Sequence, residues 1–244
     1  MTTSLVAPEL HDLSPIKRQI DSKIDSLIAA LPDPKDLTPE QRRGIIARYS
    51  AVLEGNFIYW MTAAYLSVQA EEARPVLIDN LREEIADCHP EMLRRFAVAA
   101  HAYPAEADAM AVRDDLTKVR TFLGRLQGVQ NVLTMGFFES YIQRFMSYLA
   151  DLAVAQGSTD LEYTDVHGVC DIAHSEGLWM ALSAEAAINP PDPEADLFEG
   201  VNKLRALIQT INGNGRCERS CGLSGCPGTR DAICPSREHV KGRY

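Results

Sequence analysis

The sequence predicts an all-α protein, and three observations carry that reading. Apolar residues recur at helical spacing through nearly the whole stretch before residue 213. The periodic stretches are separated by helix-start and helix-stop signals rather than by hairpin turns. No run of alternating β-branched residues is present, and no motif returns at a fixed period.

The elements follow in order. Ser14-Pro15 supplies a cap and a proline suited to the first helical position, with Ile16, Ile20, Ile24, Leu27 and Ile28 on one face behind it. Leu31-Pro32-Asp33-Pro34 ends that helix. Thr38-Pro39-Glu40-Gln41 has the pattern of a capping box and opens a second, long helix expected to reach about Glu72. Arg74-Pro75 starts a third, which extends to the neighbourhood of Asp87. His89-Pro90-Glu91 interrupts the chain and restarts it toward Ala100. Residues 105–127 and 129–156 read as two further helices, with Gly124 and Gly128 as the weak points between them. Residues 157–160 form a loop, and residues 161–188 another helix. Asn189-Pro190-Pro191-Asp192-Pro193 stops it, and residues 194–211 form the last. From Gly213 onward glycine, proline and cysteine dominate. The expected organisation is a flexible N-terminus (1–13), one helical domain (14–212) and a flexible Cys-rich tail (213–244).

Composition narrows the function classes. A chain of 244 residues with 46% hydrophobic content can bury the core of one large domain. Its 24 Lys and Arg against 34 Asp and Glu give a net charge of −10, with no basic cluster. Nucleic acid and anionic membrane are therefore poor partners. The N-terminus has no basic region followed by a long apolar stretch, and no apolar run approaches the roughly 20 residues that span a bilayer. The expected location is the cytoplasm, where cysteines serve as thiols or metal ligands rather than disulfides. Cys217, Cys221, Cys226 and Cys234 crowd the tail. Four thiols suit zinc or an iron–sulfur cluster, but their gaps match neither a zinc knuckle nor a ferredoxin, which favours free thiols in a flexible tail.

The most informative segment is Asp165-Val-His-Gly-Val-Cys-Asp-Ile-Ala-His174. His167, Asp171 and His174, spaced by four and three, fall within a helical sector of roughly 60°. Two imidazoles and a carboxylate on one face suit a divalent metal; the alternative is a solvated polar face near a helix start. Two acids elsewhere sit among apolar neighbours: Glu54 on the stripe Ala47, Ala51, Ile58, Met61, Tyr65, and Glu139 on the stripe Val132, Met135, Ile142, Met146, Leu149. Buried carboxylates are ordinarily paired or metal-bound, and for each of these alone an arginine partner is the competing explanation. Glu84 continues a stripe with Leu77 and Leu81, His89 lies just beyond it, and Glu83 is the adjacent alternative to Glu84. Together these are seven candidate ligands, enough for two metal ions.

The order of Glu54, then Asn80-Leu-x-x-Glu84 with His89, then Phe138-Glu139, then His167-x-x-x-Asp171-x-x-His174 resembles the haem-oxygenase-like diiron oxidases. The resemblance covers residues of about 15–212. It implies a seven-helix bundle and a metal set of Glu54, Glu84, His89, Glu139, His167, Asp171 and His174 holding two Fe(II). It implies dioxygen as co-substrate, an external electron donor and a homodimer. Members of the family act mostly on amino acids, amines or fatty acids, often in natural-product biosynthesis, by desaturation, ring closure, N-oxygenation or C–C cleavage. A small amino acid or amine is the expected substrate here, with Phe57, Phe137 and Tyr141 as candidate contacts. Two other classes compete: a metal-free thiaminase-like hydrolase or cofactorless oxidase of the same fold, and a non-catalytic helical interaction module. Metal uptake and oxygen consumption separate them.

Overall fold

The computed structural model describes residues 12–213, with the side chains of residues 169–172 excepted. These residues form nine helices and no strand. They are α1 (Ser14–Ala29), α2 (Pro39–Leu53), α3 (Asn56–Ser67), α4 (Ala73–Ala86), α5 (His89–Ala99), α6 (Glu106–Leu123), α7 (Gly128–Ala155), α8 (Glu162–Ile188) and α9 (Glu199–Ile211). None of them is long and apolar enough to cross a membrane.

The local signals act as their chemistry dictates. Thr38 accepts a hydrogen bond from the Gln41 backbone, and the Gln41 side chain accepts one from the Thr38 N–H, closing the capping box. The expected Ser14 cap is shifted: Ser14 lies inside α1, and the Asp12 carboxylate accepts from its N–H. The second helix is also shorter than its periodicity suggests. It breaks at Glu54-Gly55, where Gly55 takes a left-handed conformation (φ 80°) that costs glycine little, and α3 then ends at Ser67. The helix expected over 105–127 stops at Leu123, and the one expected from 194 starts at Glu199.

Helix α7 is the axis of the bundle. It packs along α8 and also meets α1, α2, α3, α5 and α9. Its buried face is largely apolar, with Val132, Met135, Phe137, Phe138, Ile142, Phe145 and Leu149 buried. Gly136 lets α8 approach, with Leu178 against it, and Ser140 joins Ser175 of α8 hydroxyl to hydroxyl at 2.7 Å.

The corner between α3 and α4 is pinned from α8. Glu185 is fully buried, and its Oε2 accepts from the backbone N–H groups of Gln69 (2.7 Å) and Ala70 (2.9 Å). Its Oε1 accepts from the Asn189 side chain at 3.0 Å. Gly128, at the start of α7, leaves the space this carboxylate occupies; a Cβ there would collide with Oε1. The corner sets where α4 begins, and α4 packs on α8.

Candidate metal centre

Three buried side chains from three helices converge at one point: Glu84 from α4, His89 from the first turn of α5 and His167 from α8. One ligand atom from each lies within 4.8 Å of the others. Glu84 Oε1 is 2.8 Å from His89 Nδ1 and 3.7 Å from His167 Nε2. The two imidazole rings meet edge to face at 4.5 Å.

The sequence places each group there by a definite device. Glu84 ends the buried face that starts at Leu77 and Leu81. The turn at Asp87-Cys88 brings His89 back toward it, with Cys88 in a left-handed conformation (φ 56°) and Pro90 early in α5. His167 is oriented by its own helix. Its Nδ1–H donates to the carbonyl of Tyr163, four residues earlier, at 2.8 Å. The ring is thereby held with its Nε2 toward Glu84. A metal-bound histidine is commonly fixed in the same way, by its second nitrogen.

The donor set fits a divalent transition metal. Bonds of roughly 2.1 Å place neighbouring donors about 3.0–3.4 Å apart, a range bracketed by the two Glu84 distances. Two imidazoles and a carboxylate suit iron, manganese or zinc. Burial pushes the Glu84 carboxyl up, but the two imidazoles outweigh it and hold the group below its ordinary value. Glu84 is thus favoured in its carboxylate form in a poorly hydrated place.

The surrounding pocket is small and mostly apolar. Leu53, Phe57, Ile58, Leu93, Ile142 and Tyr163 line it together with the cluster, Pro90 and Glu139. Its free volume is about 20 Å³, room for a water-sized occupant. Glu139 is buried in α7 and adds a second carboxylate to the wall.

The remaining candidates are placed differently. His174, buried on α8, has its Nε2 2.7 Å from Oε2 of Glu83. Glu83 and Glu84 therefore both face histidines of α8. Glu54 caps the end of α2 and lies 2.7 Å from Arg94 in a half-exposed ion pair, so the buried stripe expected through it is broken by the helix end. The Asp171 and Cys170 side chains lie outside the described residues, as do the four tail cysteines. Of the aromatic candidates, Phe57 lines the pocket, whereas Phe137 is buried in the core and Tyr141 stacks on Phe145 at 5.2 Å.

Two residues are not signalled by sequence alone. Tyr163 both orients His167 and lines the pocket; its spacing of four before a candidate ligand on a helix is the clue that could have found it. Tyr49 meets the Tyr163 hydroxyl from α2, a contact between distant segments with no local signature. No family model matches the chain, and no curated protein matches it in sequence.

Proposed function

We propose that this protein is a nonhaem iron oxidase that uses dioxygen on a small amino acid or amine, built on a haem-oxygenase-like bundle and serving natural-product biosynthesis. The observation that carries the reading is the buried convergence of Glu84, His89 and His167 on a pocket with apolar walls. Glu84, His89 and His167 would hold one iron. Glu139, Glu83, His174 and Asp171 are the groups available to a second, and Glu54 is then not required.

Iron(II) would supply the electrons and open coordination positions for dioxygen chemistry. The protein's own contribution is fixed geometry and exclusion of water. The Tyr163 carbonyl holds His167 in one tautomer. Glu84 places its charge between the two imidazoles. Leu53, Phe57, Ile58 and Leu93 keep the walls dry, which strengthens every electrostatic contact inside. An amino acid needs more space than the pocket offers. The α4–α5 corner, which bears Glu83, Glu84, His89 and Pro90, is the wall whose displacement would provide it.

A mononuclear iron oxygenase is the second reading. It is favoured by the same trio, because two histidines and one carboxylate already make a complete three-ligand face. One experiment separates the two. The protein is loaded anaerobically with Fe(II), its metal is counted, and oxygen uptake is followed against a panel of amino acids and amines. About two irons per chain support the diiron form and about one the mononuclear form. No iron and no substrate-dependent oxygen uptake would remove both and leave a metal-free enzyme or a binding module.

A further inference from the structure

Aromatic rings lead away from the pocket in an unbroken series. The Tyr163 ring lies 4.2 Å from the His167 ring, centroid to centroid. The Tyr163 hydroxyl is 2.9 Å from that of Tyr49, and both side chains are buried. The Tyr49 ring is 5.6 Å from Phe145, and Phe145 is 5.5 Å from Tyr148, which is half-buried at the edge of the bundle. The series crosses α8, α2 and α7. A pair of phenylalanines at positions 49 and 163 would pack as well without two buried hydroxyls to desolvate. The hydroxyl pair holds a hydrogen that can move between two oxidisable rings.

We propose that Tyr163 and Tyr49 form a one-electron relay between the iron site and the protein surface. The inference rests on the oxidase reading above. The oxidant is dioxygen, reduced with iron held by Glu84, His89 and His167. When substrate is absent, Tyr163 gives one electron inward across the His167 ring and loses its hydroxyl proton. Together with one electron that iron(II) would supply and one proton from water, they reduce dioxygen to hydrogen peroxide, and a neutral phenoxyl radical remains on Tyr163. The hydroxyl hydrogen of Tyr49 then crosses the 2.9 Å contact to the Tyr163 oxygen. One O–H bond breaks as the other forms, and the radical moves outward to Tyr49. A one-electron reductant such as ascorbate, oxidised to its radical, returns an electron through Tyr148 and Phe145. Water returns the proton and Tyr49 is restored. The relay draws oxidising equivalents away from the histidines when no substrate consumes them.

The test uses the full-length protein loaded with Fe(II), exposed to oxygen without substrate and frozen within seconds. Iron content, oxygen uptake and the electron paramagnetic resonance spectrum are recorded on the same sample. The expected result is a tyrosyl signal that narrows with ring-deuterated tyrosine and is quenched by ascorbate. Tyr49→Phe keeps the ring packing. It is expected to leave iron content and oxygen uptake unchanged while slowing ascorbate quenching, because the hydroxyl that passes the hydrogen is gone. Peptide mass spectrometry should then find oxidised Tyr163 and His167 accumulating in that variant. Oxygen uptake without a tyrosyl signal, or quenching and oxidation unaltered by both Tyr49→Phe and Tyr163→Phe, would overturn the relay and leave the oxidase reading standing. Iron binding without oxygen uptake, or no iron binding, would remove both.

Discussion

Glu185 and Glu84 are both acids with little access to water, and their surroundings differ in kind. Glu185 is satisfied by two backbone N–H groups and an asparagine amide, partners that cannot leave without undoing a helix corner. Glu84 faces two imidazoles and no backbone donor among the hydrogen bonds of the described residues. Each imidazole has a second nitrogen, and that of His167 is already committed to the Tyr163 carbonyl. The first arrangement stabilises a fold. The second gathers three side chains able to ligate a metal at one point. A buried acid is therefore informative only with its partners: backbone donors mark structure, and convergent side-chain lone pairs mark a site.

Substitutions separate the two kinds of acid. The largest effect is expected at the cluster. His167→Ala should weaken Fe(II) binding by at least about 100-fold, beyond the range typical of losing an outer-shell partner, while the metal-free protein stays folded; calorimetric titration and circular dichroism report the two separately. Glu185→Ala should behave in the opposite way. It strands the Gln69 and Ala70 N–H groups and should cost about 2–4 kcal/mol in denaturant unfolding, with metal stoichiometry retained in the fraction that folds. A smaller effect is expected from Glu54→Ala, which removes a half-exposed ion pair with Arg94. A loss of no more than about 1 kcal/mol and unchanged metal binding would keep Glu54 out of the site; loss of one iron per chain would put it back.

The smallest effect is a pH dependence away from the site. Asp115 of α6 accepts from Thr210 of α9 and pairs with Lys118. Burial pushes its carboxyl up, but these two partners outweigh it and hold it below its ordinary value of 3.8. The unfolded chain therefore binds this proton more tightly than the folded one. The Asp115 contribution is complete above the ordinary value and fades as pH falls through the lower folded one. Asp115→Asn should flatten acid unfolding by a few tenths of a kcal/mol, the scale of a largely solvated pair.

Much of the fold was legible because its punctuation is chemical. The Thr38–Gln41 capping box, Pro90, Gly128 and the prolines after Asn189 each act through a local backbone constraint. The break at Glu54-Gly55 was hidden because apolar residues keep helical spacing on both sides of it, so periodicity alone joins α2 to α3. The same break takes Glu54 off the buried stripe. Glu84 and His89 were visible at the end of an apolar stripe and His167 by its spacing from Asp171 and His174, but their convergence depends on the left-handed turn at Cys88. Sequence could not separate Glu83 from Glu84 because they are adjacent on one helix, and each faces a histidine of α8. Glu185 was missed because small neighbours, Ala184, Ala186 and Ala187, mark neither face of α8 strongly.

The central claim is that Glu84, His89 and His167 bind a metal, and its most direct test is anaerobic Fe(II) content after desalting. The wild-type full chain is compared with Glu84→Ala and with His89→Ala, so that any metal held by the tail cysteines appears equally in all three. At least about one iron per chain is expected in the wild type beyond what either variant retains. Equal iron in wild type and variants would contradict it.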